Sequence, residues 1–300
     1  MIGSNVPTIG GFHTGFAWGD KWGCECIQIY ITLSRRWEVP ELNQNDIIKF
    51  KTAWENSSVN QVVAHVPFLV NLASQNKEIW QKSISRLTTE ISRAERFGVP
   101  LLVLHPGSYG NLAKEKGIKR VTQALDIVFR GFDKLSVKIL LETMAGQGTM
   151  LGSSFEEIAE ILEKATNSEP LGVCFDTGHV FMAGYDLRSY EGYENILREF
   201  NKLVSLEKIG CFHLNDSKTK LGSRNDRHAC VGEGELGLQV FHALLLDQRF
   251  SKTPKILEIP ERDKRSKDNL ELLRKLSQIS EPLPKERYTP TQLTLTEKRR

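Results

Sequence analysis

Six short apolar runs in this chain each end in one side chain able to hold a metal ion. They are Val62-Val63-Ala64-His65, Leu101-Leu102-Val103-Leu104-His105, Ile139-Leu140-Leu141-Glu142, Gly172-Val173-Cys174-Phe175-Asp176, Cys211-Phe212-His213 and Ile256-Leu257-Glu258. Continuous apolar runs of this length suit strands covered on both faces, as in parallel sheets. A polar residue at the same place on each would lie at the C-terminal strand ends, where barrel enzymes build their active sites.

Helical patterns separate the runs. Lys77 to Gly98 places Trp80, Ile84, Leu87, Ile91 and Ala94 at alternating steps of four and three, and Gly98-Val99-Pro100 stops it. Similar stretches cover Asn43 to Asn56, Ala113 to Phe132, Phe155 to Ala165, Leu187 to Val204, Leu236 to Leu246 and Asp268 to Ile279. A first strand is expected over Ile9 to His13, followed by a loop holding Trp18 and Trp22. A second strand is expected over Cys24 to Thr32, and a third over Gln61 to Ala64. Eight strand-helix units in 300 residues predict an α/β fold, a closed (β/α)8 TIM barrel. An open doubly wound sheet fits less well, because no glycine-rich phosphate loop follows the first strand. Residues 1–280 read as one barrel domain. Residues 281–300 lose periodicity, end in Lys298-Arg299-Arg300, and read as a mobile basic tail.

The 40 basic and 37 acidic residues leave a net charge of +3, so local charge must decide whether a partner is anionic. The first residues lack the basic flank and apolar run of a secretory signal, and no stretch is long enough to span a membrane. A soluble, cytoplasmic protein is expected. Five cysteines, three of them in strand-like runs, are expected to be reduced and structural.

The stretch from Phe212 to Gly234 is the most polar part of the pattern. Asp226-x-His228 sets a carboxylate and an imidazole side by side, within a loop that also follows His213. With His179 added, the candidate ligands are His65, His105, Glu142, Asp176, His179, His213, Asp226, His228 and Glu258. Nine are too many for one catalytic zinc, which takes about three protein ligands, so two or three ions are implied. The many imidazoles favour zinc over magnesium. Clustered ions of this kind activate water near neutral pH and offset charge building on a phosphate.

Each residue has a plainer reading. A single histidine after a strand is commonly a hydrogen-bonded core residue, and Glu142 or Glu258 alone would cap a helix or pair with a base. Their shared position on their strands argues for one site. His13 is placed near the mouth, and His242 lies in a helix without an evident partner. Arg35-Arg36-Trp37 suits phosphate pairing and base stacking, although on these residues alone a solvated loop anchored by Trp37 is the favoured reading.

Longer motifs carry a specific resemblance. Leu104-His105-Pro106-Gly107-Ser108, Leu141-Glu142-Thr143-Met144-Ala145-Gly146, Phe175-Asp176-Thr177-Gly178-His179, and His213-Leu214-Asn215-Asp216-Ser217-Lys218 through Arg224-Asn225-Asp226-Arg227-His228 resemble the signatures of the endonuclease IV family of apurinic/apyrimidinic endonucleases, in the same order and over nearly the whole chain to about residue 280.

That resemblance implies a TIM barrel with three zinc ions per chain, manganese being an alternative at one site. Glu142 would bridge two ions, with His65 and His105 on the first and Asp176, His213 and Glu258 on the second. His179, Asp226 and His228 would hold the third. Glu142 and Glu258 are the implied catalytic carboxylates. The implied partner is double-stranded DNA containing abasic sites, cut 5′ to the lesion during base excision repair to leave a 3′-hydroxyl, with trimming of blocked 3′ ends. Arg35, Phe68 and Leu69 match the side chains that the family inserts into the DNA stack. Val66-Pro67-Phe68 replaces a more polar sequence ending in tyrosine, and Gly178 stands where cysteine is common. A monomer with no membrane contact is expected. The main rival is a metal-dependent sugar isomerase or epimerase on a related barrel, which leaves His179, Asp226 and His228 without a role. A non-catalytic DNA-damage binding module is a second.

Overall fold

In the computed structural model, which describes residues 1–32 and 37–283, the apolar runs pair in parallel and close on themselves. The elements in chain order are β1 (Ile2–Asn5), α1 (Thr14–Trp22), β2 (Cys26–Ile29), α2 (Gln44–Glu55), β3 (Gln61–His65), α3 (Lys77–Phe97), β4 (Leu101–Leu104), α4 (Lys114–Phe129), β5 (Lys138–Glu142), α5 (Phe155–Lys164), β6 (Leu171–Asp176), α6 (Thr177–Ala183), α7 (Tyr190–Leu203), β7 (Ile209–His213), β8 (Asp216–Ser217), β9 (His228–Ala229), α8 (Gln239–Leu246), β10 (Lys255–Leu257) and α9 (Arg262–Ser277). The barrel order is β1-β10-β7-β6-β5-β4-β3-β2, while β8 and β9 form a separate antiparallel pair. The expected (β/α)8 barrel is therefore the fold.

Helix ends follow local chemistry. Asn76 accepts from the amides of Glu78 and Ile79 to start α3, and Gly98 at φ +77° ends it. Asn43, Ser154 and Ser189 cap α2, α5 and α7 in the same way.

The apolar residues fall into two layers because successive strand side chains point to opposite faces. One layer, including Leu102, Ile139, Val173 and Phe212, packs outward against the helices. The other is a small cluster of Cys26, Val63, Val103, Leu140, Cys174, Cys211 and Ile256 that fills the barrel interior. It forms the floor on which the candidate site stands.

Three expectations change. The first strand is Ile2–Asn5, and residues 9–13 form a loop with Ile9 exposed and Gly10 and Gly11 at positive φ. The short Ile-Gly-Ser-Asn segment carries no apolar run to mark it. Gly3 is there because a Cβ would meet the Cys26 carbonyl oxygen at 1.5 Å. Trp18 and Trp22 lie on α1 rather than in a loop, and α6 forms where no helix was expected. Arg35 and most of the expected tail, Pro284 to Arg300, lie outside the described residues. Leu283 is buried and donates its amide to the Tyr190 hydroxyl. All five cysteines are buried and without disulfides. Among the described residues, no helix is long and apolar enough to cross a membrane.

Candidate metal centre

Two residues beyond each member of the barrel floor, the same strand face presents a polar side chain. Val63 leads to His65, Val103 to His105, Leu140 to Glu142, Cys174 to Asp176, Cys211 to His213 and Ile256 to Glu258. The alternation that buries the floor thus aims six of the candidate ligands into one ring. The remaining three come from above it: His179 from the first turn of α6, Asp226 from the loop between β8 and β9, and His228 from the start of β9.

Glu142 is at the centre and wholly buried. Its Oε2 lies 3.2 Å from His65 Nε2 and 3.0 Å from His105 Nε2, while its Oε1 lies 3.1 Å from His179 Nδ1 and 3.2 Å from His213 Nδ1. One carboxylate therefore faces imidazoles on two sides. His213 Nδ1 is also 3.2 Å from Glu258 Oε2 and 3.6 Å from Asp176 Oδ2. Asp226 reaches His228 Nε2 at 3.0 Å and His179 Nε2 at 3.3 Å. All nine candidate ligands converge.

Four overlapping sets have ligand atoms mutually within 4.8 Å: three unite only nitrogen and oxygen donors, namely His65, His105 and Glu142, then Glu142, Asp176, His213 and Glu258, then Asp176, His179 and His228, while the fourth joins His213 to the floor thiols Cys174 and Cys211. Such spacing suits nitrogen and oxygen donors around individual cations.

The electrostatics agree. Burial pushes the Glu142 carboxyl up, but His213 and His105 outweigh it and hold the group well below the usual carboxylate range. Asp176 is lowered in the same way, burial being outweighed by His179 and His213. Burial opposes charge on His179 and His213, yet Asp176 and Asp226 around the first, and Glu258 and Glu142 around the second, raise both well above ordinary imidazole. Among the described residues, the ion-pair partners of Glu142 and Asp176 are all histidines, never Lys or Arg. The pocket demands positive charge. Divalent cations would meet that demand and leave the imidazoles neutral, which is their ligating form, so the donor set fits metal ions.

Several contributors escaped the sequence reading. Asn5 and Gln28 occupy the ring position on β1 and β2, and both donate to Glu258 Oε1. Asn215 donates to Asp176 Oδ2 at 2.5 Å and accepts from the Glu258 amide. The Thr143 carbonyl holds His179 Nδ1 at 2.9 Å. The only available signal was their place in the two-residue period, since amides and hydroxyls are not metal ligands of choice. His242, outside the centre, is satisfied by the Tyr190 hydroxyl and the Ile279 carbonyl. His13 precedes α1 at its N-cap.

A cavity of about 770 Å³ opens above the centre. Glu142, His105 and His228 are on its wall, and Lys218, Arg227 and Arg262 add positive charge at its edge. Phe68 is 70% exposed beside it, its ring 5.2 Å from that of His105 and 6.1 Å from that of Tyr30. Leu69 is half-buried.

A family model described as a xylose isomerase-like TIM barrel matches residues 16–276. A protein of Geobacter sulfurreducens named probable endonuclease 4 is 38% identical over 291 residues, 96% of this chain and 98% of its own length. This chain belongs to the endonuclease IV family. A Chloroflexus aurantiacus relative of the same name is 39% identical over 93% of the chain and 99% of its own. The crystal structure of endonuclease IV from Thermus thermophilus superposes with a TM-score of 0.80 at 30% identity, covering 92% of this chain and 98% of that one. A D-tagatose 3-epimerase-like protein superposes at 0.73 with 19% identity, a likeness of fold alone. The endonuclease IV resemblance in the motifs is thereby borne out, and the nuclease reading stands over the isomerase one.

Proposed function

We propose that this endonuclease IV family member hydrolyses double-stranded DNA 5′ to abasic sites, leaving a 3′-hydroxyl, and trims blocked 3′ ends, with three zinc ions held by the nine converging residues. The observation that carries the reading is Glu142, whose two oxygens face separate imidazole sets while Asp226 and His228 close a further set above. His65 and His105 would hold one ion with Glu142, Asp176, His213 and Glu258 a second, and His179, Asp226 and His228 a third. When bound, such ions activate water and neutralise charge on the transferring phosphoryl group.

The chain's own groups supply the rest. Glu258 has Oε1 tied to Asn5 and Gln28, which turns Oε2 toward the centre to orient the attacking water and take its proton. Lys218, Arg227 and Arg262 line the cavity edge and suit backbone phosphates. Phe68 and Leu69 would wedge and stack where a base is missing, and Arg35 would join them.

Incision of an end-labelled abasic duplex tests the assignment. Cutting 5′ to the lesion, abolished by chelator and restored by zinc, is the expected result. An intact duplex under zinc-loaded conditions would refute it. Metal content separates the epimerase reading, which needs one or two ions rather than three.

A further inference from the structure

Seven residues of the barrel floor are each followed, two positions on, by a polar side chain pointing to the site. Six of those followers are proposed ligands. The seventh, after Cys26, is Gln28, which is wholly buried. Both ends of its amide are engaged: Nε2 lies 2.5 Å from Glu258 Oε1, and Oε1 lies 2.8 Å from His213 Nε2.

The orientation is forced by chemistry. A carboxylate only accepts, so the amide nitrogen must face Glu258 and the amide oxygen must face His213. An amide oxygen also only accepts, so His213 Nε2 carries the hydrogen. A neutral imidazole has one N–H, which leaves a lone pair on Nδ1. That nitrogen faces Glu142, Glu258 and Asp176.

Three of the other imidazoles are fixed differently. Nδ1 of His65, His179 and His228 meets the backbone carbonyls of Val66, Thr143 and Glu258, at 2.7, 2.9 and 3.2 Å. His213 is thus set apart from these three by having a side chain as its outer partner.

We propose that Gln28 is a positioning residue that locks His213 with Nδ1 free and Glu258 with Oε2 turned inward, and so sets the affinity for the ion shared by Glu142, Asp176, His213 and Glu258. The inference rests on the metal-centre reading above. Outer partners of metal-bound histidines characteristically change affinity by about 10- to 100-fold.

The test compares wild type with Gln28→Met, which keeps length without polarity, and Gln28→Glu, which keeps an acceptor for His213 but sets a second carboxylate against Glu258. Zinc content and competition with a chromophoric chelator read affinity, long-range 1H–15N spectra read the His213 tautomer, and circular dichroism with thermal melting reads the fold. In Gln28→Met one ion is expected to weaken about 10- to 100-fold, the others to be unchanged, and the His213 Nε2–H proton, without its acceptor, to shift upfield. In Gln28→Glu that signal should persist while the same ion weakens. A merely structural role would lower the melting temperature and leave competition curves as in wild type, overturning the proposal. Should Gln28→Met not fold, wild-type competition in Gln28→Glu overturns it equally. Failure of wild type to take up zinc sinks the centre itself, whereas a loaded wild type with an unaffected Gln28→Met sinks only the role of Gln28.

Discussion

Asp176 caps the helix that carries His179. Its Oδ1 accepts from the His179 amide at 2.8 Å, while its Oδ2 lies 3.5 Å from the same residue's Nδ1. One carboxylate thereby ends strand β6, starts helix α6, and fixes the distance between two of the proposed ligands. Asparagine caps helices about as well as aspartate but lacks the charge. In metal-free protein, Asp176→Ala should be less stable than Asp176→Asn by about 1 kcal/mol in urea unfolding. Both should bind less zinc than wild type. Equal unfolding midpoints for the two variants would remove the cap from the account.

Glu142→Gln keeps volume and removes the central charge. The barrel should remain folded by circular dichroism, while incision of an abasic duplex falls by several kcal/mol, roughly 10³-fold or more. Near-normal incision with metals verified would contradict the role given to Glu142.

Phe68 is exposed and contributes little to the fold, so Phe68→Ala should change stability by no more than about 0.5 kcal/mol. Loss of a stacking surface is worth about 1–3 kcal/mol. Affinity for an abasic duplex, measured by fluorescence anisotropy, should drop accordingly while zinc content stays the same. Unchanged affinity would place the DNA elsewhere.

Away from the centre, Asp247 accepts from the Tyr193 hydroxyl and from Arg249. Burial pushes its carboxyl up, but Arg249 and Tyr193 prevail and hold it below the ordinary range. A depressed folded-state value means that its stabilisation is present above the unfolded value near 3.8 and is lost as pH falls through the folded one. Asp247→Asn should therefore cost about 1–3 kcal/mol at pH 7, and the gap to wild type should close below about pH 4. Urea titrations of both proteins across pH 3–7 measure this, and a gap that widens on acidification would reverse the sign.

Much of the centre was legible because a strand has a two-residue period and a parallel strand buried on both faces must be apolar until it emerges. His65, His105, Glu142, Asp176, His213 and Glu258 stand where that apolar run stops. The first strand was misplaced because Ile2-Gly3-Ser4-Asn5 has almost no apolar run, its identity resting on Gly3 packing against the neighbouring Cys26 backbone. Asn5 and Gln28 occupy the same ring but went unread, since an amide among hydrophobic residues gives no chemical signal until its partners are known.

The residues by themselves determined most of the barrel strands and which of their ends carry charge, because those properties depend on local periodicity and hydrophobic burial. Only the closed barrel decided that Glu142 sits between His105 and His213, that a loop following β7 returns Asp226 and His228 over His179, and that Gln28 touches both His213 and Glu258. Gln28 and His213 are 185 residues apart, and their 2.8 Å contact exists because closure of the sheet brings distant strands face to face across one interior.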